Sequence, residues 1–107
     1  DKAIVEIAPC GAQLCGTIVA AAPLPNTTTT PRDTHNPDPA LRNRSIIGER
    51  LLGGFVQGRG NWTGGKIYNP VNGKTYRSVM ALGPDGRLKV SGCVAFICQD
   101  QIWRRAN

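Results

Sequence analysis

The sequence predicts an all-β protein, a small antiparallel β-barrel built as a meander of about seven or eight short strands. Three observations predict this class. Short stretches rich in β-branched and aromatic residues alternate with polar residues. Glycine-containing turns separate those stretches. No segment shows the sustained apolar periodicity of an amphipathic helix. Closing such a meander into a barrel removes the exposed strand edges.

The first two predicted strands form a hairpin. Residues 3–8 contain three β-branched positions, and residues 14–20 contain Thr17, Ile18 and Val19. The short connection between them includes Gly11, which can adopt a positive φ. Two strands joined by so short a connection must run antiparallel.

A long loop is predicted at residues 22–45. Five of the eight prolines and a run of threonines at 27–30 fall in this segment. We expect it to be exposed and mobile in part. A loop of this length is consistent with a functional lid over a site and, equally, with an insertion that has no function. His35, beside Asp33, is the one histidine of the chain, and we expect it to be exposed.

The remaining predicted elements are strands separated by tight turns. Gly64 and Gly65 lie within one of them and predict a bulge or bend, and Asn72-Gly73 predicts a turn. Regular structure is predicted at residues 46–48, 51–56, 62–68, 74–82 and 88–92, with an apolar turn or bulge at 93–98 and a closing stretch at 99–105.

Length and charge limit what the protein can be. A chain of 107 residues is one domain, residues 1–107, and we expect a monomer or homodimer. The net charge is +6. From residue 58 onward there are eight basic residues and only two acidic ones, Asp85 and Asp100. Such a field favours an anionic envelope component, although it also fits a solvated face that aids solubility. We expect no sequence-specific nucleic acid and no membrane-spanning segment.

Four cysteines form two Cys-x4-Cys pairs, Cys10 with Cys15 and Cys93 with Cys98. An even count in a short chain predicts disulfides and an oxidising compartment, hence a periplasmic or secreted protein whose signal peptide has been removed. Local pairing suits the predicted hairpins. The other connectivities, a four-thiolate zinc site and a redox dithiol stay open as alternatives. Our prediction is two local disulfides, no metal and no cofactor.

The sequence contains no nucleophile elbow, phosphate-binding loop or histidine pair with metal-ligand spacing, and we therefore predict that the protein is not an enzyme. The candidate ligand-binding residues are Trp62, Tyr68, Tyr76 and Met80, which can line a cavity or simply fill the core. Tyr68 lies across the turn from Tyr76, and a register error of one residue would reverse its face.

The alternation along residues 74–82 assigns side chains to the two faces of one strand. Tyr76, Ser78 and Met80 share a face, whereas Arg77 and Val79 point to the other. Because an unpaired arginine is costly to bury, the Tyr76 face is predicted to be interior. A flexible methionine and a hydroxyl that can form a hydrogen bond would suit an apolar ligand.

Several strings in the chain form a combined pattern. They are Trp-Thr-Gly-Gly-Lys-Ile-Tyr-Asn-Pro at 62–70, Asn-Gly-Lys-Thr-Tyr at 72–76, Asp-Gly-Arg-Leu-Lys-Val-Ser-Gly at 85–92, Gln-Ile-Trp-Arg at 101–104, and shorter matches at 5–7, 15–19, 36–37 and 41–44. Together they resemble a bacterial family of exported proteins known as domain of unknown function 2147. The resemblance implies a lipocalin-like antiparallel β-barrel with a central cavity, in the periplasm or outside the cell. It implies no activity.

Two departures from the family pattern matter. The family opens with a Gly-x-Trp strand ahead of the stretch at Val5, which this chain lacks, so barrel closure is expected to rest on residues outside the chain or on a partner. Asn69 stands where the family often has an aspartate, which argues against a carboxylate site there.

Trp103-Arg104 is similar to the arginine and tryptophan pair that closes the base of a lipocalin barrel. This resemblance implies a structural role for the two residues.

These observations favour a binding protein that holds a small, mostly apolar ligand in a barrel cavity. The alternative is an envelope interaction protein whose basic surface contacts an anionic polymer or protein partner. Cavity size separates the two hypotheses, since a ligand pocket measures about 300 Å³ or more.

Overall fold

The structure is a computed structural model that describes residues 3–105. Seven strands form one sheet in which each strand pairs antiparallel with the next along the chain. This arrangement confirms the antiparallel meander. The strands are β1 (Ala3–Cys10), β2 (Gln13–Ala21), β3 (Arg50–Gln57), β4 (Asn61–Asn69), β5 (Lys74–Leu82), β6 (Leu88–Val94) and β7 (Ile97–Trp103).

The sheet is not closed within the described residues. Its strand order runs from β1 to β7, and no ladder joins these two edges in residues 3–105. Closure into a barrel therefore stays a prediction, and the strand expected ahead of Val5 lies outside the described residues.

One local expectation was wrong, that of regular structure at residues 46–48, and one was right, that of a turn between Cys93 and Cys98. Residues 46–48 form a turn, because Gly48 has a φ of +93° and the backbone N–H of Glu49 donates to the carbonyl of Ile46 at 3.1 Å. The apolar turn expected between Cys93 and Cys98 is present, and the ladder that pairs Cys93 with Cys98 continues to Val94 and Ile97 on either side of it. The disulfide and strand pairing confine the turn to residues 95 and 96.

Glycines bend β3 and β4 at the point where Gly54 of β3 lies beside Gly64 and Gly65 of β4. Gly64 has a φ of +73° and Gly54 a φ of +79°, and the register between β4 and β5 shifts between Trp62 and Gly65. This confirms the predicted bulge. A Cβ atom on Gly65 would lie 2.5 Å from the ring of Phe55, so the bend brings the backbone against the core.

The core lies on one face of the curved sheet. Its fully buried members are Leu52, Phe55, Met80 and Val90, and the surrounding half-buried side chains are Val5, Ile7, Leu14, Trp62, Ile67, Leu88 and Trp103. On β5 the alternation confirms the predicted faces, because Ser78 and Met80 are buried while Arg77 and Val79 are exposed.

An antiparallel meander places alternate connections at opposite ends of the sheet. We call the end that carries the β2–β3 loop (22–49), the β4–β5 turn (70–73) and the β6–β7 turn (95–96) the loop end. The loop contains a short 3₁₀-helix, Pro39–Leu41, and the side chain of Asp38 accepts a hydrogen bond from the backbone N–H of Ala40 at its start. No helix among residues 3–105 is long and apolar enough to cross a membrane.

Candidate functional site

A cavity of about 540 Å³ opens at the loop end. Strands β4 to β7 and the β4–β5 turn form most of its wall. Its lining residues are Leu51, Ile67, Tyr68, Asn69, Pro70, Val71, Asn72, Tyr76, Val90, Gly92, Val94, Ile97, Gln99, Gln101 and Trp103.

The lining combines apolar walls with a few polar groups. The Tyr76 hydroxyl accepts a hydrogen bond from Nδ2 of Asn72 at 2.8 Å. Trp103 Nε1 donates to Oε1 of Gln101 at 3.0 Å. Gln99 borders the same space. Aliphatic and aromatic surface combined with uncharged hydrogen-bonding groups is typical of pockets that bind small molecules.

The structure separates the four residues predicted to contact a ligand. Tyr68 and Tyr76 border the cavity. Met80 is 2% exposed and belongs to the core, where it pairs with Val90 across β5 and β6. Trp62 pairs with Met80 and packs against the same core. Ligand contact by these four residues stays a prediction, and sequence reasoning missed the wall that β7 supplies.

The register between β4 and β5 determines where Tyr68 lies. Tyr76 pairs with Ile67, and Tyr68 pairs with Thr75. Directly opposed residues share a face, so Ile67 is the β4 residue on the Tyr76 face. The side chain of Tyr68 instead reaches the β2–β3 loop.

A buried polar cluster anchors that loop to the sheet. The Tyr68 hydroxyl donates to Oδ1 of Asp33 at 2.7 Å, and Nδ2 of Asn36 donates to Oδ2 of Asp33 at 2.7 Å. Arg44 forms an ion pair with Glu49 at 2.6 Å. Asp33 has no exposed surface and Glu49 is 6% exposed.

The pKa values of the two carboxyl groups of the cluster shift in opposite directions. Burial raises the pKa of Glu49, the hydrogen-bonded Asp33 raises it further, and Arg44 opposes the rise. Burial also acts to raise the pKa of Asp33, but hydrogen bonds from Glu49, Asn36 and Tyr68 outweigh it and lower that pKa. Oε2 of Glu49 is buried and has no hydrogen-bond partner among the described residues.

The cluster acts as a structural anchor because Asp33 is closed to solvent. Burial and the bond to Asp33 raise the pKa of Tyr68 to about 12, so its hydroxyl stays a donor at neutral pH. Sequence reasoning missed this cluster and noted Asp33 only as a neighbour of His35. No local pattern could have indicated it, since Asp33 and Tyr68 are 35 residues apart.

The four cysteines lie in two disulfide-bonded pairs, Cys10–Cys15 and Cys93–Cys98. The Cα atoms are 5.9 Å apart in the first pair and 4.1 Å apart in the second. These are the local pairings that the spacing favoured. No group of three or more metal-ligating side chains occurs within the described part of the chain.

The outer face of β4, β5 and β6 is basic. Lys66 pairs directly with Arg77 across β4 and β5, and both are exposed. Lys89, which pairs with Ala81, is exposed on this face as well, whereas Lys74 is exposed at the start of β5 on the Tyr76 side of the strand. Like charges opposed across a sheet repel each other, so this face would gain from an anionic neighbour.

Comparison with known proteins identifies similar chains. The family described as "Uncharacterized protein conserved in bacteria (DUF2147)" matches residues 1–105. A solved structure from Helicobacter pylori, described as "Protein HP1028 from the human pathogen Helicobacter pylori belongs to the lipocalin family", is similar with a TM-score of 0.82. The two chains are 26% identical, and the likeness covers 96% of this chain and 71% of that chain. No curated protein matches in sequence.

Proposed function

The chain belongs to the DUF2147 family of bacterial proteins, and from that premise we propose that it is a non-catalytic binding protein. In this proposal it is periplasmic or secreted and holds a small, mostly apolar ligand in the cavity at the loop end. The two disulfides support export, because such bonds persist in oxidising compartments.

The single observation that carries the proposal is the size and lining of the cavity. Its volume, about 540 Å³, lies within the range of roughly 300–1,000 Å³ typical of small-molecule sites. Burial of apolar ligand surface there would supply the affinity.

Polar groups on the wall would orient the ligand. Gln99 comes from β7 and Tyr76 from β5, so the cavity has hydrogen-bonding groups on two sides. No charged side chain is among its lining residues, which disfavours a strongly ionic ligand because a buried charge needs a partner.

We also propose that the meander closes into a lipocalin-like barrel around this cavity. The likeness to a lipocalin-family protein supports closure. The exposed strand edges support closure as well, because the unpaired N–H and C=O groups on β1 and β7 favour further pairing.

The test is uptake of the uncharged apolar dye N-phenyl-1-naphthylamine, followed by its fluorescence. The wild type should bind it saturably. Gln99→Trp places a large ring in the cavity and should raise the dissociation constant by at least about tenfold, a loss equivalent to about 1.4 kcal/mol. Gln13→Trp is the matched control, because Gln13 is also exposed on a strand and does not line the cavity.

Thermal unfolding of both variants checks that the fold is kept. A wild type that takes up no dye would overturn the proposal, and so would equal uptake by wild type and folded Gln99→Trp.

A second candidate function rests on four exposed basic residues of β4, β5 and β6: Lys66, Lys74, Arg77 and Lys89. There the protein would contact an anionic polymer or an acidic protein partner of the cell envelope. Replacing all four by glutamine should weaken that binding and flatten its salt dependence. Binding to an anionic polysaccharide column that is insensitive to salt would contradict this mechanism.

A further inference from the structure

Four large apolar side chains are exposed together at the loop end. Val71 is 78% exposed, Val94 61%, Phe96 91% and Ile97 65%. We call these four residues the apolar rim. Scattered exposed apolar residues are normal, but Val71, Val94 and Ile97 all border the mouth of one cavity, and Phe96 lies in the turn between two of them.

The rim is held on a rigid support. Val94 pairs with Ile97, and the next pair along the ladder is Cys93 with Cys98, which is joined by a disulfide. The turn is therefore only residues 95 and 96, with Ala95 at a φ of +53°. A two-residue turn above a covalent bridge cannot fold its phenylalanine back into the core, so Phe96 stays presented to the outside.

Cations flank the rim. Lys74 and Arg77 border a shallow concavity together with Cys93 and Val94. The guanidinium of Arg77 also donates a hydrogen bond to the carbonyl of Ala95. A positive charge is thus fixed beside the most exposed aromatic ring.

The wider charge balance at this end is positive. Two of its acids, Asp33 and Glu49, are buried. Its exposed charged side chains are the cations Arg32, Arg42, Arg44, Arg50, Lys74 and Arg77 and the anion Asp38, and among them Arg44 is paired with Glu49. An apolar rim surrounded by cations matches the layered chemistry of a membrane surface, in which anionic headgroups lie above acyl chains.

We propose that the apolar rim, with Lys74 and Arg77, is a docking surface for an anionic phospholipid membrane. Phe96 and its neighbours enter the boundary between headgroups and acyl chains, and the two cations contact lipid phosphates. A second copy of the chain is a poorer occupant, because a symmetric contact through this rim would bring the same cations of both copies together. Val71, Val94 and Ile97 also line the cavity, whereas Phe96, Lys74 and Arg77 do not, and the proposal does not rest on ligand binding.

The experiment is cosedimentation with vesicles of phosphatidylcholine alone or of phosphatidylcholine with phosphatidylglycerol. The wild type should bind the anionic vesicles and not the neutral ones. Phe96→Ser should lower the partition coefficient by about tenfold or more, since one buried aromatic side chain is removed. Leu82→Ser is the matched control and should bind like the wild type, because Leu82 is 50% exposed at the opposite end of β5 from the loop end.

The charge component is tested separately. Lys74→Gln and Arg77→Gln should each weaken binding to anionic vesicles by roughly fivefold, and added salt should reproduce the loss. Unchanged circular dichroism and thermal unfolding show that each variant is folded.

Three outcomes would overturn the proposal. One is absence of wild-type binding to anionic vesicles, and another is an equal loss in Phe96→Ser and Leu82→Ser. The third is self-association in analytical ultracentrifugation that Phe96→Ser abolishes, which would assign the rim to a second copy. Dye uptake by Phe96→Ser should equal that of the wild type, so failure here is distinguishable from failure of the cavity proposal.

Discussion

The hydroxyl of Tyr68 donates a 2.7 Å hydrogen bond to Oδ1 of Asp33, a residue 35 positions earlier in the chain. Asp33 belongs to the β2–β3 loop and Tyr68 to β4, so this bond joins the longest connection of the fold to its sheet. A second contact lies beside it, because the backbone of His35 occupies the space that a Cβ atom on Gly73 would need. The loop is thus anchored at both β4 and the β4–β5 turn.

Tyr68→Phe should destabilise the protein by about 1.5–3 kcal/mol, the range for a hydrogen bond to a charged group. The phenylalanine leaves buried Asp33 with one donor fewer. Urea denaturation measures the change. Tyr76→Phe is the matched control, since the Tyr76 hydroxyl bonds only the exposed Asn72 side chain, and its effect should be smaller. Equal effects would show that Tyr68 does not anchor the loop.

Glu49→Gln should change how stability depends on pH. The pKa of Glu49 is raised above its ordinary 4.5 by burial and by Asp33. The folded protein therefore keeps a proton that the unfolded chain loses, and the free energy of unfolding falls as the pH rises from 4.5 through the raised pKa. Glu49→Gln should remove that fall.

The pKa of Asp33 is shifted in the opposite direction, so its effect on stability depends on pH in the opposite way. Its pKa lies below the ordinary 3.8, so its stabilisation is present above pH 3.8 and is lost as the pH falls through the lowered pKa. Urea midpoints measured between pH 3 and 8 test both signs. Glu6→Gln, a change at an exposed glutamate on β1, is the control and should keep the wild-type profile. A Glu49→Gln profile parallel to the wild type above pH 4.5 would contradict the raised pKa of Glu49.

Gly65→Ala should destabilise the fold by about 1–3 kcal/mol through overpacking. The added methyl group would lie 2.5 Å from the Phe55 ring, which has no exposed surface and little room to move. Gly92→Ala is the matched control, because its Cβ atom would lie at an ordinary 3.5 Å from Ile67. Thermal unfolding should show a lowered midpoint for Gly65→Ala and a small shift for Gly92→Ala.

Met80→Trp tests the placement of Met80. If Met80 lined the ligand cavity, the variant would still fold, and the larger tryptophan ring would fill the cavity and abolish dye uptake. Because Met80 is 2% exposed between Trp62 and Val90, we expect destabilisation of about 1–3 kcal/mol instead. A folded variant of unchanged stability that has lost dye uptake would place Met80 on the cavity wall.

Mass spectrometry tests the disulfides. The oxidised protein should lack four hydrogen atoms relative to the reduced form, two for each bond, and peptide mapping should join Cys10 to Cys15 and Cys93 to Cys98. Removing either bond by a double serine change should cost about 2 kcal/mol in the chain-entropy model. Four free thiols or bound zinc would contradict both bonds.

The sequence alone determined the local features of this protein. Alternation of residue types located β5 at residues 74–82, as the structure has it. Asn72-Gly73 located a turn, and Gly73 has a φ of +72°. The face of Tyr76, Ser78 and Met80 followed from the cost of burying Arg77. Each of these depends on backbone preferences or solvation over a few residues, which a short string of sequence contains.

Only the tertiary structure decided the site. The bulge at Gly64 shifts the β4–β5 register, and a one-residue shift reverses the face of every later side chain. It places Ile67 opposite Tyr76 and leaves Tyr68 for Asp33. The cavity wall from β7 and the anchor at Glu49 likewise depend on contacts between distant segments. Such contacts form where the folded chain buries surface, and no periodicity in the sequence records which distant residues will meet.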